Sequence, residues 1–137
     1  MNPSVILIDD CSDLIEVFSE FLALRSIDVL ATGSNGKEAV ELYQRYSPDA
    51  VIMDYSMPNY DGLYGLKNIL KINPDAKIIM FTGSADSGLF DKFKESGAAL
   101  IVEKPGDFDS VVKMISMISN QHHSAKTDVI TMKINSD

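Results

Sequence analysis

A chain of 137 residues, 45% hydrophobic and 23% charged, suits one domain with one core. Its formal charge of −8 and isoelectric point near 4.6 argue against nucleic-acid binding, which needs a basic face, and suit metal ions or basic protein surfaces. The single cysteine, Cys11, allows no internal disulfide and fits a reducing compartment. Met1–Ser4 lacks a basic leader region, and no apolar run approaches a membrane span, so the expected location is cytoplasmic, with no membrane insertion.

Five short apolar runs read as buried strands: Val5–Ile8, Asp28–Ala31, Ala50–Met53, Lys77–Phe81 and Leu100–Val102. Most are continuously apolar, the pattern of a parallel sheet covered on both faces. Helical stripes lie between and after them. The first is Leu14, Val17, Phe18, Phe21 and Leu22; the second is Ala39, Val40, Leu42, Tyr43 and Tyr46. Leu63, Leu66, Ile69 and Leu70 form the third, and Leu89, Phe90 and Phe93 a weaker fourth. Phe108, Val111, Val112, Ile115 and Ile118 form the fifth. Asn35 followed by Glu38 resembles a capping box, Pro48 and Pro74 stop helices, and Gly97 stands where a left-handed C-cap is expected. Five βα repeats specify an α/β doubly wound parallel sheet, expected to be flavodoxin-like with strand order 2-1-3-4-5, as in other folds of that class. Residues 1–120 make up this domain. Residues 121–137 read as a polar tail, either disordered or forming a short extra strand from the alternation of Ile130, Met132 and Ile134.

In an open parallel sheet, ligands bind at the carboxyl ends of the strands, near the reversal of strand order. Asp9 and Asp10 end the first strand and Asp54 the third; Thr82 ends the fourth and Lys104 the fifth. Three carboxylates in one crevice are unfavourable unless a cation sits among them or a proton is taken up. Mg²⁺ accepts oxygen ligands while keeping several waters, so two or three carboxylates suffice to hold it. A carboxylate can itself attack phosphorus to give an acyl phosphate, while a hydroxyl and an ammonium bind the remaining phosphoryl oxygens. Taken singly, each residue has a plainer use: Asp9 and Asp10 as helix caps, Asp54 as a turn residue, Thr82 as structure, Lys104 as a solvated lysine. Their joint placement favours the chemical reading.

The run Asp54-Tyr55-Ser56-Met57-Pro58-Asn59-Tyr60-Asp61-Gly62 resembles the D-x-x-M-P-x-x-D-G signature of response-regulator receiver domains. Asp9-Asp10, Phe81-Thr82-Gly83 and Glu103-Lys104-Pro105 fit that family at the right spacing, over roughly residues 4–119. The resemblance to stand-alone, CheY-like receivers implies that Asp54 is the phosphoacceptor. It implies Mg²⁺ held by Asp9, Asp10, Asp54 and the backbone carbonyl of Ser56, with Lys104 contacting the phosphoryl group. It further implies that Thr82 switches the domain, that Lys104–Pro105 is a cis peptide, and that Gly62 lies at a turn. A histidine kinase would be the phosphodonor. The output would be a protein target on the face built by the fourth helix, fifth strand and fifth helix, with no effector domain attached.

Several residues depart from the family pattern. Ile101 stands where Tyr or Phe is usual, which leaves the route from phosphate to surface open. Gly83 replaces the commoner Ala or Ser, and Gly106 replaces an apolar residue. Ser56 and Ser84, two residues beyond Asp54 and Thr82, are small and imply a pocket open to water. Cys11 is expected to pack near the pocket. Tyr55, Tyr60 and Tyr64 are expected to pack in loops, with Tyr55 placed to touch a partner, and His122-His123 to be solvated.

Other functions compete with phosphorylation-dependent protein binding. A phosphorelay intermediate would pass its phosphate to a histidine phosphotransfer protein. A phosphorylation-independent interaction module would not use the pocket at all. A haloacid-dehalogenase-type phosphatase would need D-x-D after the first strand, and Asp9-Asp10-Cys11-Ser12 lacks it. The chain is therefore expected to catalyse only its own phosphorylation and dephosphorylation.

Overall fold

The computed structural model describes residues 2–83, 86–104, 108–120 and 133–134. In chain order its elements are β1 (Ser4–Ile8), α1 (Ser12–Leu24), β2 (Asp28–Gly33), α2 (Gly36–Tyr46), β3 (Ala50–Met53), α3 (Gly62–Ile72), β4 (Ile78–Thr82), α4 (Ser87–Glu95), β5 (Leu100–Glu103), α5 (Phe108–Asn120) and β6 (Lys133–Ile134). Each of the five expected strands is present, all parallel, in the order 2-1-3-4-5. The sheet carries one addition: Lys133 and Ile134 pair in parallel with Ile101 and Val102, which places β6 beyond β5. Ser84, Pro105, Gly106, His122 and His123 lie outside the described residues, as do residues 129–132 of the suspected extra strand.

Alternation along the strands divides the core between two faces. Val5, Leu7, Ile52, Ile79, Phe81 and Val102 pack with Phe18 and Leu22 of α1 and Val111 and Ile115 of α5. Their neighbours Ile6, Ile8, Val51, Met53, Met80 and Ile101 pack on the other side with Ala39 of α2, Leu66 and Ile69 of α3 and Phe93 of α4. The central strands need apolar residues at every position because both faces are covered. β2, at the sheet edge, instead alternates in exposure, and its pairing with β1 shifts register between Val5 and Ile6 so that Leu30 is passed over and left exposed.

The α1 stripe differs from its sequence reading at two positions, Val17 and Leu14, the latter half-buried but outside both core clusters. Val17 is 58% exposed, while Ile15, Phe18, Phe21 and Leu22 face the core. Both sets obey helical spacing, and the sheet selects the one centred on Phe18, whose ring stacks on Phe108 at 4.1 Å. Tyr46 is likewise exposed at the end of α2.

The expected boundaries hold. Asn35 caps α2 by accepting the Glu38 N–H (2.9 Å). The reciprocal arm is displaced by one residue, because Glu38 accepts from the Ser34 N–H (3.0 Å) rather than from that of Asn35. α2 and α3 end before Pro48 and Pro74, and Gly97 follows α4 at φ +100°, where a side chain would also meet Leu70 at 2.9 Å.

Candidate phosphoacceptor site

The strand ladders carry the acidic residues past the ends of their strands. The Asp9 N–H donates to the Gly33 carbonyl (3.0 Å), and the Asp54 N–H donates to the Ile8 carbonyl (2.9 Å), each one residue beyond the formal strand. Both backbones are therefore fixed by sheet pairing. On the other side, the Lys104 N–H donates to the Thr82 carbonyl (2.7 Å) and anchors the start of the loop after β5.

Asp9 and Asp54 are 6% and 7% exposed, Asp10 is exposed, and one carboxylate oxygen from each lies within 4.8 Å of the others. The Lys104 Nζ donates to Asp9 Oδ2 at 2.7 Å and stands 3.5 Å from Asp54 Oδ1. Asp9 Oδ1 accepts the Cys11 N–H (2.9 Å), which orients the carboxylate from within its own loop. Asp9 and Asp10 do not cap α1 with their side chains; its N-cap is Cys11, with no side-chain cap hydrogen bond. Cys11 is exposed there, contrary to the packing role expected of it, because it has already left the strand.

Burial, then the nearby Asp9 charge, holds the Asp54 carboxyl above its ordinary value, with Asp10 adding to the effect. Lys104 and the Tyr55 backbone N–H oppose this, but only in part. Three carboxylates and one ammonium leave the cluster a formal charge of −2. All its free donors are hard oxygens, so the group fits a small divalent cation such as Mg²⁺.

Thr82 closes β4 and is 1% exposed, on the strand paired with β3 through Met53 and Met80. Ser56 is exposed two residues after Asp54. Lys104 joins Asp9 and Asp54 through direct ionic contact.

Two local features go beyond the sequence expectations. Asp61 and Gly62 open α3 instead of forming a turn within the loop: Asp61 is the N-cap, accepting the Tyr64 N–H (2.9 Å), and Gly62 is the first helical residue. Glycine is needed there for space, since a Cβ would lie 2.1 Å from the Asp54 carbonyl oxygen. An Asp just before the Leu63–Leu66 stripe is the sequence signal that announces this cap. The second feature is Tyr55, whose half-buried ring meets Phe93 edge-on at a centroid distance of 5.5 Å. The other two tyrosines behave differently: Tyr60, in the loop, and Tyr64, which lies in the first turn of α3 rather than in the loop expected for it, pair with each other at 4.8 Å and remain exposed.

The family model of the response regulator receiver domain matches residues 5–116. The chain is 32% identical over 120 residues to the chemotaxis protein CheY of Bacillus subtilis, covering 88% of this chain and all of that protein. It is 30% identical over 119 residues to the chemotaxis protein CheY of Thermotoga maritima, covering 87% and 99% of the two chains. Among solved structures, a LuxR-family DNA-binding response regulator from Staphylococcus aureus superposes with a TM-score of 0.80 at 28% identity, over 86% of this chain and 99% of that one. The match thus spans every element that builds the acidic pocket, and the chain belongs to the response-regulator receiver domains of two-component signalling.

Proposed function

We propose that Asp54 accepts a phosphoryl group from the phosphohistidine of a histidine kinase, and that the phosphorylated domain signals by binding a protein target, as chemotaxis-type regulators do. An Asp54 carboxylate oxygen attacks phosphorus, the P–N bond to the kinase histidine breaks, and the departing imidazole takes up a proton from water. The product is an acyl phosphate. Asp9, Asp10, Asp54 and the Ser56 carbonyl would hold Mg²⁺, which when bound neutralises charge on the transferring oxygens. Lys104 contributes its ammonium to the same oxygens, exchanging part of its contact with Asp9 for the new anion. Thr82 donates its hydroxyl to the phosphoryl group. The chain modifies itself and turns over no separate substrate. The target binds the α4-β5-α5 face, and the protein works in the cytoplasm; among the described residues no helix is long and apolar enough to cross a membrane.

One observation carries this reading: a nearly buried carboxylate, Asp54, has two more carboxylates within 4.8 Å and a lysine ammonium at 3.5 Å. Incubation with acetyl phosphate and Mg²⁺, followed by intact-mass measurement, is expected to show one labile phosphoryl adduct, absent in Asp54→Asn and absent with chelator. An unmodified wild-type mass, with acetyl phosphate and with cognate kinases alike, would overturn the proposal. Transfer of the labelled phosphate to a histidine phosphotransfer protein, without a stable target complex, would move the assignment to a phosphorelay intermediate.

A further inference from the structure

Five observations converge on Tyr55. It directly follows Asp54, and its backbone N–H faces the Asp54 carboxylate and stabilises the charge there. Its carbonyl accepts the Gly62 N–H at 2.8 Å, so both sides of the residue are tied to the phosphoacceptor loop and to the first residue of α3. Its ring leaves that loop and packs edge-on against Phe93, 5.5 Å between centroids at 62°. Phe93 is 0% exposed and is the one fully buried residue of α4. Leu89 and Phe90, the other large apolar side chains of that helix, are only partly buried. α4 therefore depends on the seat of Phe93 more than on any other side chain. Ile101 lines the same cluster from β5 but has no ring to transmit a reorientation.

We infer that Tyr55 is a positioning residue that carries the state of Asp54 to α4 through the Tyr55–Phe93 ring contact. The inference rests on the phosphoacceptor reading of Asp54. Forming the acyl phosphate moves negative charge from the carboxylate to the phosphoryl oxygens. The Tyr55 N–H then loses a charge-assisted acceptor and keeps a weaker, ester-like one. The Gly62 hydrogen bond holds the far side of the residue, so relaxation is a rotation of the peptide between Asp54 and Tyr55, and the ring moves with it. A helix anchored by one buried side chain responds readily to a shift of that side chain's neighbour.

Amide NMR on the full chain with Mg²⁺ and beryllium trifluoride, a phosphoryl mimic that binds aspartate, tests this. Fluoride resonances report occupancy of Asp54, and the amide shifts of Leu89–Phe93 report the response of α4. In wild type both are expected to change. Tyr55→Leu is expected to keep the bound-fluoride signal while losing at least two-thirds of the α4 shift, and Tyr55→Phe to restore it, since the ring rather than the hydroxyl meets Phe93. A Tyr55→Leu protein that binds the mimic and moves α4 as wild type does overturns the inference while leaving Asp54 as phosphoacceptor. Failure of wild type to bind the mimic overturns both.

Discussion

At the scale of single residues, the pocket is an electrostatic compromise. Asp54 is buried beside another carboxylate and only partly relieved by Lys104, so its charged form costs the folded state free energy. The native state holds the Asp54 proton more tightly than the unfolded chain does. Folding is therefore favoured below the unfolded value of 3.8, and this advantage is lost as pH rises through the higher native value. Removing the charge should stabilise the protein wherever Asp54 is ionised. Asp54→Asn is expected to raise the melting temperature by roughly 2–5 °C at pH 7 in metal-free buffer, with the gain shrinking toward zero below the unfolded value. A thermal-denaturation series against pH checks both the size and the trend. Mg²⁺ should relieve the same repulsion: at a hundredfold excess over its dissociation constant it is expected to stabilise wild type by about 2.7 kcal/mol, and Asp10→Asn by much less. Ser56, exposed two residues beyond Asp54, is proposed to leave the acyl phosphate open to water. Ser56→Gln is expected to lengthen its lifetime severalfold, measured as decay of the phosphoryl adduct mass.

Among the elements, the loop that follows Asp54 is held by close backbone approach. Gly62 lets α3 begin against the Asp54 carbonyl, and Gly36 lets α2 begin against Asp61, where a Cβ would lie 2.2 Å from the Asp61 carbonyl oxygen. The Gly36 N–H also donates to the Tyr60 carbonyl at 2.7 Å, and Asn59 takes a left-handed conformation (φ 73°) just before it. Because the opposing atoms are backbone and cannot swing away, Gly62→Ala is expected to cost about 1–3 kcal/mol in denaturant unfolding and to displace the Asp54 carbonyl. The start of α3 carries two competing local signals, because Asp61-Gly62 has the composition of a turn while Asp61 also stands where an N-cap belongs. The tight packing that demands glycine is a contact with a residue eight positions earlier, made visible only when β3 and α3 are in place. The α2 cap shows the opposite case, since Asn35 and Glu38 lie three residues apart and announced their hydrogen bond locally.

For the whole molecule, the two-sided sheet explains why the strand runs were easy to read and the helix faces less so. A strand buried on both faces must be apolar throughout, whatever its neighbours. A helix such as α1 offers two overlapping stripes, and the sheet chose Ile15 over Val17. Among the described residues, the β6 pairing extends the sheet at the β5 edge by two residues. We propose that the receiver domain ends near Asn120. Truncation there is expected to leave the circular-dichroism spectrum, the yield of phosphoryl adduct and the oligomeric state unchanged. A loss of the adduct would assign the tail to the domain.

The sequence by itself determined the βα alternation and its boundaries at Asn35, Pro48, Pro74 and Gly97, and it pointed to the set Asp9, Asp10, Asp54, Thr82 and Lys104. These are written as local patterns and short motifs, and each pattern is complete within a few neighbouring residues. Only the tertiary structure decided which atoms meet: the Lys104 ammonium on Asp9 at 2.7 Å, the Asp54 carbonyl against Gly62, and the Tyr55 ring on Phe93. Those contacts join residues 8 to 95 positions apart, and no local period encodes them. They form when parallel pairing brings the ends of β1, β3 and β5 to one edge of the sheet and the helices are laid across its faces.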